Sequence, residues 1–262
     1  MRIGLLALGP LTPTQAQAQA FDTVRLYGAK IAQDGGTMGG GLSSAPKYSG
    51  SKQQHFQGFP LIDYRWASGA FAGTGNGIGY NFSRAGTPNS AFGLRLTADL
   101  GRKESLDAKL KGLGDVKIRP ELGVFFNHGL IEGLEATSSL RYGSGNSQRG
   151  LVADLGLSYS RPVGTRTMLG LGVAASLVNA DHMQSYFGTD KVQAGNSGLA
   201  VYSPKAGLRD LRANALLSYS VNPRTGVSLG LSAGYLGREA KASPLTQQAS
   251  SLSVFAGVSY LF

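Results

Sequence analysis

Val227-Ser228-Leu229-Gly230-Leu231-Ser232-Ala233-Gly234-Tyr235 alternates apolar residues with serine and glycine without exception. Successive side chains of an extended strand point to opposite faces, so one face of this stretch is wholly apolar. The same period of two runs through Phe92–Leu100, Leu151–Tyr159, Leu169–Leu177, Leu211–Val221 and Leu252–Phe262. No position in the apolar register of these six segments is charged, although 15% of the chain is charged and chance would place several there. A half-buried sheet of a soluble protein also alternates, so the second face decides. That face is crowded with glycine and serine and carries Arg95, Asp99, Asp154 and Arg212 as candidate lumen charges. Small inward residues suit a narrow lumen. An outward arginine near the bilayer midplane costs about 2–4 kcal/mol, which explains its absence there. The expected fold is all-β: a transmembrane antiparallel up-and-down β-barrel.

Composition agrees. The 262 residues include 39 glycines and no cysteine, so disulfides, thiolate metal sites and cysteine nucleophiles are excluded. No run of about 18 apolar residues offers a spanning helix. The net charge of +10 favours anionic partners such as lipopolysaccharide phosphates or cell-wall carboxylates. Nucleic acid is a poor fit, because no dense basic run is interleaved with aromatics. Residues 1–20, with Arg2, the apolar Ile3–Leu11 and small-residue sites ending at Ala18 and Ala20, read as an export signal cut after Ala20 or, alternatively, Ala18. The barrel is expected over 21–262.

Further strands are expected at 22–32, 58–67, 70–83, 116–127 and 131–142, which makes eleven. A single-chain barrel with both ends in the periplasm needs an even number. One strand is therefore missing, within 32–60 or around Ser68-Gly69, or one pair is split too finely; twelve is the expectation and ten the alternative. Tight turns at Arg161-Pro162-Val163-Gly164 and Asn222-Pro223-Arg224-Thr225 mark the periplasmic end. The long polar stretches 102–115, 179–208 and 237–250 mark the outside. Phe92, Phe126, Tyr159, Tyr219, Tyr260 and Phe262 should then ring the periplasmic interface, with Tyr142 and Tyr235 at the outer one.

Chemistry finds little support. His55, His128 and His182 lack partners at metal or triad spacing and read as loop or turn residues. Gly73-Thr74-Gly75-Asn76-Gly77-Ile78-Gly79 follows a period of two and places Ile78 where a dinucleotide fingerprint needs glycine, so it reads as a strand whose lumen-facing glycines admit something bulky. Asp99, Glu104, Asp107, Asp115 and Glu121 gather near one long loop, as glycoside hydrolysis would need. They are interleaved with Arg102, Lys103, Lys109, Lys111, Lys117 and Arg119, a mixture that suits salt bridges or solvation better. No catalytic, metal or cofactor residue is assigned. Inward charges would form either an ion-selective constriction or a plug of salt bridges across the lumen.

The last strand places Val258, Tyr260 and Phe262 in one register and resembles the C-terminal signal read by the outer-membrane assembly machinery. Several segments in order also resemble the MipA/OmpV family of outer-membrane proteins. They include Ala45-Pro46-Lys47-Tyr48-Ser49-Gly50-Ser51, Pro60–Trp66, Gly77–Tyr80, Gly101-Arg102 within Asp99–Ser105, Gly112-Leu113-Gly114-Asp115 and Tyr186-Phe187-Gly188. Ser197–Leu199, Gly207–Asp210 and Ser243-Pro244 complete the set, across about 22–262. The resemblance implies a monomeric, non-enzymatic barrel in outer-membrane lipid. For some members it implies a scaffold joining a lytic murein transglycosylase to a peptidoglycan synthase, and for others a small pore or an adhesin. Arg238-Glu239-Ala240-Lys241-Ala242 is basic where the family is often acidic.

Overall fold

In the computed structural model, which describes residues 33–83 and 90–262, twelve antiparallel strands close into one barrel. In chain order they are β1 (Gly35–Pro46), β2 (Gln54–Arg65), β3 (Ala70–Gly73), β4 (Gly77–Asn81), β5 (Ser90–Asp99) and β6 (Arg119–Ile131). There follow β7 (Leu134–Ser144), β8 (Gly150–Pro162), β9 (Thr167–Val178), β10 (Gly207–Ser220), β11 (Thr225–Leu236) and β12 (Ser250–Leu261). Each strand pairs with its chain neighbours, and β1 closes the ring on β12 from Thr37–Leu261 to Ser44–Val254. A strand of 12 residues, such as β9, tilted by about 40°, covers roughly 30 Å, enough for an apolar band of about 25 Å.

Ten of the eleven expected strands fall on described residues; β1, inside the 32–60 interval where the sequence left a gap, and the division of 70–83 into β3 and β4 bring the count to twelve. Two boundaries are corrected. The expected strand at 70–83 is a hairpin of two short strands, because Gly77 adopts φ 74° after Thr74–Asn76 and turns the chain back. The expected strand at 116–127 starts at Arg119, since Val116 is held in an isolated bridge with Arg102. The expected strand at 22–32 and the export signal lie outside the described residues.

The apolar faces point outward. Leu155, Val173, Leu229 and Leu252 are each about half exposed, while Arg95, Asp99 and Glu121 are 3%, 1% and 1% exposed inside. Greasy residues outside and charges inside invert a soluble core, and hydrocarbon is the medium that rewards it. Among the described residues no helix is long and apolar enough to cross a membrane. Phe92, Phe126, Tyr159, Tyr219 and Tyr260 fall toward the short-turn ends of their strands, and Tyr142 and Tyr235 toward the long-loop ends. Phe262 exchanges two backbone hydrogen bonds of 3.0 Å with Gly36, and its ring stacks 5.9 Å from that of Tyr64.

Bulky inward side chains are accommodated by glycine. A β-carbon on Gly79 would lie 2.3 Å from Phe71 Cζ, and one on Gly41 2.7 Å from Phe59 Cζ. Phe71 meets Phe125 edge-on at 5.9 Å, and Phe59 lies 5.5 Å from Phe255.

Candidate functional site

Two facts of strand geometry assemble the site. Alternation aims Arg95 and Asp99 (β5), Glu121 (β6), Arg141 (β7), Asp154 (β8), Ser176 (β9), Asp210 and Arg212 (β10) into the lumen near the long-loop end. At this end of the barrel, bulges then break the alternation twice. Between Leu208 and Asp210 the register shifts, so Arg209 is an extra residue and turns inward beside Asp210. Between Tyr142 and Ser144 the extra residue is Gly143, at φ 125°, and Ser144 is buried as a result.

The charges pair in a continuous network. Arg141 bridges Glu121 at 2.8 Å and Asp154 at 2.9 Å. Asp154 also accepts from Arg212 Nη2 at 3.3 Å and from Ser176 Oγ. Arg212 reaches Asp210 at 2.7 Å, and Arg209 Nε holds the same carboxylate at 2.6 Å. Thr97 donates to Glu121 at 3.2 Å, and Arg95 to Ser139 at 2.6 Å. Such a network withstands burial because each of its carboxylates meets at least two fixed donors.

The long loops fold down onto it. Helix α1 (Ala180–Phe187) is capped by Asn179, whose side chain accepts from His182 N at 3.1 Å, and it buries His182, Met183, Tyr186 and Phe187. His182 Nδ1 lies 2.8 Å from Ser144 Oγ, and Arg209 Nη1 lies 3.5 Å from Nε2. Since arginine only donates, Nε2 is the acceptor and the ring is neutral. Burial, then the cations Arg209 and Arg141, lower the His182 pKa well below its usual value. Tyr186 donates to Asp99, whose other oxygen accepts from Gly145 N at 2.7 Å. Burial, then Asp99, raises the Tyr186 pKa well above normal.

Helix α2 (Lys191–Ser197) starts at a capping box on Asp190, and its Gln193 donates to Leu113 O at 2.7 Å. Helix α3 (Arg238–Lys241) receives Tyr202, whose hydroxyl donates to Glu239 O at 2.9 Å. Apolar contacts complete the cap: Met183, Phe187, Val116 and Ala240 in one cluster, Tyr48, Leu110, Leu113 and Leu245 in another.

The motif residues singled out in the sequence converge on this cap. Pro46 ends β1, and Tyr48 donates to Leu245 O at 2.9 Å. Burial, then Asp107, pushes the Tyr48 phenol up to about 12. Gly50, at φ 97°, packs on Thr246, and Ser51 donates to Gln53 O at 3.2 Å. Gly101, at φ 68°, precedes Arg102, which is buried and donates to Tyr186 O at 2.9 Å. Gly112 and Gly114 take φ 86° and 73°, and Asp115 accepts from Glu104 N at 2.7 Å. Val258 and Tyr260 lie on the outward face of β12, and the exposed Phe262 follows directly after its end.

The histidines are corrected: His55 lies in β2, His128 in β6 and His182 in a buried helix. Asp99 and Glu121 flank the 100–118 loop from the ends of β5 and β6 and are buried in the lumen. Arg141, Arg209, Asp210 and Tyr186 escaped the sequence reading of lumen charges. Inward parity could have found Arg141 and Asp210, whereas Arg209 depends on a bulge. Among the described residues no group of three or more His, Cys, Asp or Glu side chains could hold a metal.

Residues 38–262 match the family model described as MltA-interacting protein MipA. The chain belongs to the MipA family. It is an outer-membrane barrel, and the MipA model covers all twelve strands except the first residues of β1. No curated protein matches this MipA-family chain. Solved structures similar to it include an outer membrane channel of Pseudomonas putida F1, at 13% identity and TM-score 0.47 over 90% of this chain and 97% of that one. The outer membrane channel DcaP of Acinetobacter baumannii shares 8% identity at TM-score 0.43, over 88% and 96%. The toluene transporter TodX of Pseudomonas putida shares 10% at 0.43, over 96% and 94%.

Proposed function

We propose that this MipA-family barrel is a closed, non-enzymatic outer-membrane anchor that docks murein enzymes at its periplasmic face. The observation that carries the reading is the filled outer half of the lumen. Arg95, Asp99, Glu121, Arg141 and Arg209 are each no more than 5% exposed beneath a cap of helices, where an open pore would keep its charges wet. With transport disfavoured, the accessible surfaces are the two ends. Exposed Lys52, Lys103, Lys111, Lys117 and Lys205 at the outer end suit lipopolysaccharide phosphates. The periplasmic end presents Glu132, Arg166 and Arg224 on short turns, all exposed. The family description and the motif resemblance favour a lytic murein transglycosylase there, with a peptidoglycan synthase as the second arm.

The test is capture of purified transglycosylase by purified barrel. Wild type should retain it, and E132K/R166E/R224E should weaken retention at least tenfold. Absence of binding by wild type overturns the proposal. A channel reading draws on half-buried Ser218, Ser228 and Ser259, which suit a water-lined vestibule in the periplasmic half. Reproducible conductance steps in planar bilayers would favour it instead.

A further inference from the structure

The barrel wall is notched at one place. β2 pairs Asp63, Tyr64 and Arg65 with Gly73, Ala72 and Phe71 of the short β3. One more rung follows: Thr74 N donates to Ile62 O at 2.8 Å, and Ile62 N to Thr74 Oγ1 at 3.3 Å. Beyond it, Gln54–Leu61 pair with β1 on one side, and among the described residues no strand pairs their other side. Across the gap, β4 pairs β5 only from Gly93 to Leu96. The notch therefore has β2 and the end of β5 as flanks and the Thr74–Asn76 turn as its sill. Over its top runs the 100–118 loop, whose Leu110 and Leu113 reach Tyr48 and Leu245.

Strand parity says which groups face the gap. Even residues of β2 point away from β1, as Ile62 does toward Thr74. Phe56 and Gly58 thus present N–H and C=O to the notch, while Pro60 presents a carbonyl and no N–H. An N–H left bare in hydrocarbon costs several kcal/mol, so the Phe56 and Gly58 amides require an acceptor, whereas an under-satisfied carbonyl is better tolerated. The same edge is apolar outside and, past His55 and Gln57, apolar inside as well. Phe56 and Ile62 are exposed outside, at 67% and 52%, and Phe59 and Leu61 are only half-buried inside, where Phe255 extends the apolar lining. On neighbouring β1 the inward Ser43 and Ala45 are fully buried.

We propose that the notch is a side port through which an acyl chain enters the lumen beside Phe59, Leu61 and Phe255. Oxygens of the amphiphile's head region accept from the Phe56 and Gly58 amides. Hydrocarbon is the medium that borders the opening, and an acyl-chain amphiphile supplies both the tail for the apolar lining and the acceptors for the edge. A docked peptide strand fits less well, because Pro60 removes a donor in the middle of the edge.

The test uses tryptophan quenching by brominated acyl chains. With the single Trp66 replaced by Phe, tryptophan is introduced at lumen-facing Leu61 (L61W), at lipid-facing Ile62 as the positive reference (I62W), and at Thr137, lumen-facing on β7, as the negative one (T137W). Each variant is reconstituted in vesicles and checked for folding by heat-dependent gel mobility, with Phe59→Trp as a second lumen reporter. Quenching at 61 or 59 of at least half that at 62, with little at 137, is the expected result. Brominated phospholipid in the bilayer, compared with brominated fatty acid added to unbrominated vesicles, tells membrane lipid from free acid. Quenching at 61 and 59 no greater than at 137 with both probes overturns the port, whether the notch is then empty or holds a strand.

Discussion

Arg141 is the guanidinium on which the lumen network turns, and replacing it with methionine tests whether that network holds the barrel together. The side chain is 6% exposed and contacts Glu121, itself 1% exposed, at 2.8 Å and Asp154 at 2.9 Å. In R141M, Asp154 keeps Arg212 and Ser176, but Glu121 keeps only the Thr97 hydroxyl at 3.2 Å. Removing one partner of a buried pair leaves an uncompensated charge and costs about 3–5 kcal/mol. A double variant, E121Q/R141M, removes that charge while keeping an acceptor for Thr97, and should recover more than half of the loss. The assay is urea unfolding in lipid vesicles, followed by gel mobility and by Trp66 fluorescence, with stabilities extrapolated to water. Should R141M fall within about 1 kcal/mol of wild type, or E121Q/R141M be no better than R141M, the ion pair would be a filler and not a fastening.

Replacing 179–206 by a short Gly-Ser linker removes α1 and α2 and should convert a barrel without conductance steps into one that shows them; a silent deletion variant would locate the block elsewhere. Deleting Phe262 loses both 3.0 Å bonds to Gly36 and the stack on Tyr64, so the folded fraction on gels should drop several-fold. Gly79→Ala brings a β-carbon to 2.3 Å from both Phe71 Cζ and Leu94 O and should cost about 1–3 kcal/mol in the same unfolding assay. His182 is neutral and its pKa lowered in the closed cap, while an opened loop restores a value of about 6.5, so below that pH the open state binds the extra proton and closure weakens by up to about 1.4 kcal/mol per pH unit. Amide exchange of α1, corrected for intrinsic rates, should accelerate between pH 7 and 5 in wild type and not in His182→Gln; equal profiles would remove the histidine from the account.

The lipid-facing half of this structure was legible because each outward position answers one question. Hydrocarbon accepts Leu229 or Val173 and rejects arginine at every site, so the rule needs no knowledge of neighbours. Strand existence followed, and so did the parity that put Arg95, Asp99, Asp154 and Arg212 inside. The glycine-rich Gly73–Gly79 run reads as one strand in the sequence because a tight turn and a lumen-facing glycine use the same residue. β1 could be placed only within 32–60 because Gly39, Gly40 and Gly41 blur its alternation: glycine scores as neither face, although here Gly41 makes room for Phe59.

The lumen is harder for a different reason. An inward charge is satisfied by whatever faces it across strands, and that depends on register. Arg141 meets Glu121 from an adjacent strand and Asp154 from the other side, as parity and pairing together require. Arg209 obeys no parity, since the bulge at Leu208–Asp210 turns it inward, and it lies against a histidine from a loop that sequence distance makes unrelated. The cap is the extreme case. Tyr48, Leu110 and Leu245 are brought together by the closed barrel, so their contacts are a consequence of the ring and not of any local pattern. This ordering has a physical corollary: the wall can form on outward hydrophobicity alone, and the buried charges are then paired by positions the wall has already set. A lumen substitution such as R141M should therefore lower stability while leaving strand register intact, whereas a charge on the outward face, such as Leu229→Arg, should prevent the wall from inserting at all.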